Sequence, residues 1–183
     1  MSVEEGVDWH EIIYCQRLLP SKSLLDAIMN HEIWLWVATA AYGLHALEEF
    51  MLDWKTWANK VLKLPVDWPI FYVVNALVVV LGIIAAEIGW RLPALSLTFP
   101  ALMLINAVFF HILPFVVKKK FSPGLISAVV LFLPIGSWLF YGANRDGVLT
   151  TTTAIIAVAL GAGLMAYPII LLKVKDKPFF RQG

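Results

Sequence analysis

Residues 69–90 read PIFYVVNALVVVLGIIAAEIGW. Asn75 and Glu87 are the strongly polar residues in that stretch. A helix that crosses a membrane needs about 20 consecutive, mostly apolar residues, and this stretch supplies them. Similar runs lie at 33–53, 97–117, 124–142 and 150–173. The breaks between the later runs carry Arg91-Leu92-Pro93, Lys118 to Pro123, and Asn144-Arg145-Asp146-Gly147. Charge, proline and glycine mark loops. The reading is all-α: a polytopic membrane bundle of five transmembrane helices with an N-terminal amphipathic interfacial segment. Its parts are 1–32 (interfacial segment), 33–175 (transmembrane domain) and 176–183 (tail).

Composition agrees. The 183-residue chain is 60% hydrophobic and 15% charged, with mean hydropathy +0.78. Soluble domains average about 45–50% apolar and about 25% charged. One cysteine, Cys15, excludes an internal disulfide framework and a cysteine-based zinc site. Acidic residues at 4, 5, 8, 11, 26 and 32 argue against a cleavable signal peptide. There is no phosphate loop, nucleophile elbow or dinucleotide fingerprint. No nucleotide cofactor and no nucleic-acid partner are expected.

The basic residues give an orientation. With five spans, Arg17, Lys22, Arg91 and Arg145 fall on one side. Lys55, Lys60, Lys63, Lys118, Lys119, Lys120, Lys173, Lys175, Lys177 and Arg181 fall on the other. The richer set belongs in the cytoplasm, which puts the C-terminus inside and the N-terminus outside, in a membrane of prokaryotic cytoplasmic type. Trp34, Trp36 and Trp90 then lie at outer ends, and Trp54, Trp57 and Trp68 at inner ends, as aromatic belts require. The loop 52–68 spaces Trp54, Trp57, Val61 and Leu64 as a surface helix would. In the last run Ala157 and Gly161, then Ala159 and Gly163, recur at four-residue spacing. This is a packing pattern that also leaves room for a homodimer contact.

Ionisable residues inside a span cost roughly 2.5–3.5 kcal/mol each on insertion scales and are functional by default. The first run holds His45-Ala46-Leu47-Glu48-Glu49, with His45, Glu48 and Glu49 at i, i+3 and i+4 on one helix face. The third holds Asn106 and His111. At about 1.5 Å per residue, His45 lies about 12 Å from the inner surface and Glu48 and Glu49 about 6–8 Å. Asn75 lies about 10 Å and His111 about 9 Å from it. Five residues from three helices thus share one layer. Glu87 lies about 18 Å further up, four residues before Arg91, and reads equally as an interfacial ion pair. His10 and His31 fall outside the spans and read as interfacial.

His45-Ala46-Leu47-Glu48-Glu49 resembles the motif that names the HXXEE membrane proteins. That family's pattern also includes a further histidine, which His111 suits. It includes a Tyr-x-Pro-Gly element as well, which Phe121-Ser122-Pro123-Gly124 suits with Phe in the tyrosine position. The resemblance runs from about residue 33 to 125 and implies no settled activity. If the family's tyrosine hydroxyl takes part in chemistry, this chain lacks it.

The residue types themselves limit the chemistry. Imidazoles with carboxylates suit a divalent transition metal such as zinc, iron or manganese, held by His45, Glu48 or Glu49, and His111, with a position left for substrate. Asn75 is expected as a supporting amide. Without a metal, the same groups form an acid–base pair suited to isomerising a lipid-soluble substrate. A glutamate-dependent intramembrane protease would want a basic residue where Asp53 stands. A small oligomeric carrier is a different class, disfavoured by the lack of an internal repeat. A polar knot that only fixes helix register is a third. The expected partners are the bilayer and a hydrophobic small-molecule ligand.

Overall fold

The computed structural model describes residues 30–174, and the side chains at 171, 173 and 174 are outside that description. The N-terminal interfacial segment and the C-terminal tail read from the sequence therefore fall almost wholly outside the described residues. From His31 onward the described residues belong to one compact unit, and they are helical with no strand.

Helix α1 runs Ile33–Met51. A short helix, α2 (Trp54–Trp57), continues into the π-helical turn Ala58–Leu62. Asp53 adopts a left-handed conformation between α1 and α2, and its side chain accepts from Thr56 N. The Thr56 hydrogen bonds hold the exposed Asp53 carboxyl below its ordinary range. Helix α3 (Trp68–Ile88) starts at Asp67, whose side chain accepts from Ile70 N at 2.9 Å, with Pro69 in the first turn. Both are favoured at helix starts. Helices α4 (Pro93–Lys118), α5 (Leu125–Arg145) and α6 (Thr151–Val174) follow.

Among the described residues, four helices are long and apolar enough to cross a membrane: Trp68–Arg91, Pro93–Lys118, Leu125–Arg145 and Thr151–Ile170. This corrects the count of five. The remaining helix, α1, has the length, but His45, Glu48 and Glu49 lower its hydropathy. The residues that make α1 chemically interesting remove it from the set defined by apolarity.

The core lies where α1, α4 and α5 meet, around Leu35, Tyr42, Phe99, Met103, Phe132 and Leu139. Helix α6 lies close against α4: a Cβ added at Gly161 would stand 2.9 Å from Leu102 N. Ala157 is buried, whereas Gly163 faces open space. The first small-residue pair thus serves internal packing. At the other end, Trp54 and Trp57 pack onto a cluster of Ala58, Val66, Phe71 and Leu172.

Helices α4 and α5 each contain a widened turn, Ala107–Ile112 and Ala128–Phe132. Each is followed by Leu-Pro, at Pro114 and Pro134. Proline removes one backbone bond and crowds the carbonyl four residues back. A π turn relieves that strain, and such turns gather at functional sites.

Candidate metal centre

Three side chains converge at the heart of the bundle. His45 Nε2 and His111 Nε2 each lie 3.5 Å from the same Glu49 oxygen. One ligand atom from each of the three falls within 4.8 Å of the others. Both imidazoles are 0% exposed and Glu49 is 5% exposed, so water does not solvate the rings. The rings stand edge to face, centroids 4.8 Å apart, and Phe132 covers His45 at 4.3 Å.

The other ring nitrogens each meet a serine hydroxyl. His45 Nδ1 is 2.8 Å from Ser127 Oγ, and His111 Nδ1 is 3.1 Å from Ser122 Oγ. A hydroxyl has one proton to give. Ser127 directs its proton to Glu48 or to the Gly124 carbonyl. Ser122 directs its own to the Phe110 or Pro123 carbonyl. With the serine protons so directed, each serine accepts from its histidine, the tautomer in which Nδ1 carries the hydrogen and Nε2 presents a lone pair. Both Nε2 atoms are buried without a hydrogen-bond partner. In that tautomer two nitrogen lone pairs and a carboxylate oxygen face one another with no donor between them. Such an arrangement is repulsive without a cation. Serine-to-histidine contacts of this kind are what orient ligating imidazoles in metal sites. Ser122→Ala and Ser127→Ala should each lower metal affinity about 10–100-fold. Titration of the purified variants against a competing chelator measures it, and unchanged affinity would remove the serines from the site.

Glu48 does something else. Its carboxylate accepts from Gly124 N at 3.1 Å, Ile126 N at 3.2 Å and Ser127 N at 2.8 Å, and from the Ser127 hydroxyl. These are the unpaired amides at the start of α5, where a negative charge is stabilised. Of the adjacent glutamates, Glu49 turns toward the histidines and Glu48 caps the neighbouring helix.

The loop before α5 completes the wall. Gly124 has φ +91°, and a Cβ there would stand 2.7 Å from His111 Cε1, 2.8 Å from His45 Cε1 and 3.0 Å from Glu49 Cγ. Only glycine fits. Phe121 is exposed, while Ser122 and Gly124 of the same element touch the centre.

Comparison with known proteins places these features in a family. The family model described as a protein of unknown function with HXXEE motif matches residues 36–139. The chain belongs to the HXXEE family. The HXXEE motif itself is then the histidine ligand candidate, the helix cap and the carboxylate candidate in that order. The uncharacterised protein YrkK of Bacillus subtilis (strain 168) is 29% identical over 146 residues, covering 75% of this chain and 92% of that one. No solved structure matches.

Asn75 stands apart from the trio. Its Oδ1 accepts from Tyr42 OH at 3.0 Å and its Nδ2 donates to Phe71 O at 2.9 Å. Tyr42 in turn packs against His45, with ring centroids 6.1 Å apart. Glu87 is exposed, and Arg91 donates to the Glu87 and Ile88 carbonyls. His31 lies at the far end of α1, 2.9 Å from Asp146. Sequence reasoning passed over Ser122 and Ser127. The available signal was their position inside and just after the Pro-Gly element.

A narrow cleft opens beside the trio. Glu49 forms one wall, with Tyr42, Asn75 and Asn106 near it, and the remainder is largely apolar, from α3, α4 and α6.

Proposed function

We propose that this protein is a membrane-embedded enzyme that binds one divalent transition metal at His45 Nε2, Glu49 and His111 Nε2. Its substrate is a hydrophobic or lipid-like small molecule that reaches Glu49 through the apolar cleft. The observation that carries the reading is the approach of two buried histidine nitrogens to one Glu49 oxygen, each at 3.5 Å. Ligands about 2.1 Å from a common tetrahedral ion stand about 3.4 Å apart. A shared proton would instead draw one nitrogen and one oxygen to about 2.7–2.9 Å. Two histidines and one carboxylate are the donor set of catalytic zinc sites and of non-haem iron sites, and both keep a position for substrate. The cleft supports the lipid-like substrate, because ligand pockets are apolar with a few convergent polar groups.

Metal analysis of protein purified without chelator tests this, and about one zinc, iron or manganese ion per chain is expected. Metal-free protein that binds none of the three on addition would overturn the metal and leave the acid–base reading of the same residues.

We further propose that the Lys55–Lys63 loop, the Lys118–Lys120 loop and the C-terminus face the cytoplasm. A reporter fused at the C-terminus should read cytoplasmic. A fusion after residue 20 reads external only if α1 also crosses the bilayer, so the pair of reporters decides the place of α1. An external C-terminus would overturn the orientation.

A further inference from the structure

The cleft beside Glu49 bears on what the substrate looks like, an inference that deepens the reading above and rests on it. Among the described residues its lining includes no lysine, arginine or histidine, and Glu49 is its one carboxylate. Its other polar groups are the Tyr42 phenol, the amides of Asn75 and Asn106, and the Trp54 indole. Tyr42 and Asn75 already bond each other. Asn106 is 9% exposed and its Oδ1 has no partner, and Trp54 Nε1 is likewise buried without one. An unpaired buried amide is costly, and a ligand that supplies its hydrogen bond recovers that cost.

We propose that the cleft takes a long-chain amphiphile with an uncharged hydroxyl head, whose O–H bonds the Asn106 side chain beside Glu49 while its apolar tail lies among α3, α4 and α6. A hydroxyl both donates and accepts, so it matches the Asn106 amide in either orientation of that group. A phosphate or carboxylate head would enter an apolar cleft beside a carboxylate with no cation to offset it. One Glu49 oxygen, Oε1, is shared between His45 and His111, and an ammonium head would have to shed its water to enter an otherwise apolar cleft.

The test uses purified full-length protein in phosphatidylcholine nanodiscs, with empty nanodiscs as the partition control. Binding of tritiated 1-dodecanol is measured before and after chelator treatment, and metal content is determined on the same samples. Dodecyl phosphate, dodecyltrimethylammonium and dodecane serve as competitors. In chelator-treated protein the alcohol should bind saturably, and each charged competitor should be at least about tenfold weaker. Asn106→Leu should weaken dodecanol binding about tenfold without a matching change for dodecane. Equal competition by dodecyl phosphate or dodecyltrimethylammonium would overturn the proposal, as would Asn106→Leu protein that binds dodecanol like the parent. If Asn106→Leu does not fold, the competition series on the parent protein decides alone. Saturable alcohol binding by protein that never holds metal would sustain this proposal while ending the metal reading, so the two failures are distinguishable.

Discussion

Glu49→Gln, His45→Ala and His111→Ala should each reduce bound metal from about one ion per chain to under about a tenth after dialysis. Each change removes one of three converging donors, so the loss should exceed the roughly 10–100-fold expected of the supporting serines. Glu48→Gln provides the contrast. It leaves the donor set intact and weakens the cap on α5, where hydrogen bonds to a charged group contribute about 1.5–3 kcal/mol. The Glu48→Gln protein should therefore keep most of its metal while its half-life in detergent shortens. Metal analysis beside a thermal-inactivation series reads both effects. If Glu48→Gln empties the site and Glu49→Gln does not, the roles assigned to the two glutamates are reversed. If none of the four changes affects metal content, the metal lies elsewhere.

Gly124→Ala should be the most damaging single-methyl change near the centre. A left-handed backbone costs a non-glycine residue about 1–2 kcal/mol, and forcing a methyl into a packed site about 1–3 kcal/mol more, about 2–5 kcal/mol together. The added carbon would press on both imidazoles and on Glu49 at once, so metal affinity should fall together with stability. Gly147 supplies the control. It too has positive φ, at +73°, but nothing lies within 4 Å of an added Cβ. Gly147→Ala should show the backbone cost alone and retain its metal. A Gly124→Ala protein as stable and as well loaded as Gly147→Ala would mean that the loop can yield, and that the close fit of Gly124 is not needed.

Much of this architecture is written in local pattern. The apolar runs at 69–90, 97–117 and 124–142 each correspond to a membrane-length helix, because length and hydropathy are properties of a segment by itself. The layer containing His45, Glu49 and His111 could be reached from helix rise alone, since rise depends on residue count. Direction around the helix axis is a different matter. His45, Glu48 and Glu49 share a face by spacing, yet the start of α5 draws Glu48 away and leaves Glu49 with the histidines. That division depends on unpaired amides at Gly124, Ile126 and Ser127, far along the chain. Asn75 lies at the right depth and still bonds Tyr42 instead of a histidine, for the same reason. The first run, 33–53, is where the count fails: α1 has the length of a span but carries too many polar groups to be counted with the others.

The widened turn in α4 has a consequence for how the two halves of the site are kept together. Asn106 lines the cleft and His111 joins the trio with His45 and Glu49, five residues later on the same helix. In a regular α-helix, residues five apart point about 140° away from each other. In the π turn, the bond from i to i+5 brings them toward one side. The alignment of the cleft with the His–Glu–His trio is therefore a matter of counting. It depends on one surplus residue between two fixed points, held in place by the proline at 114. An insertion or deletion there would preserve every one of these side chains and still leave the cleft and the trio out of phase.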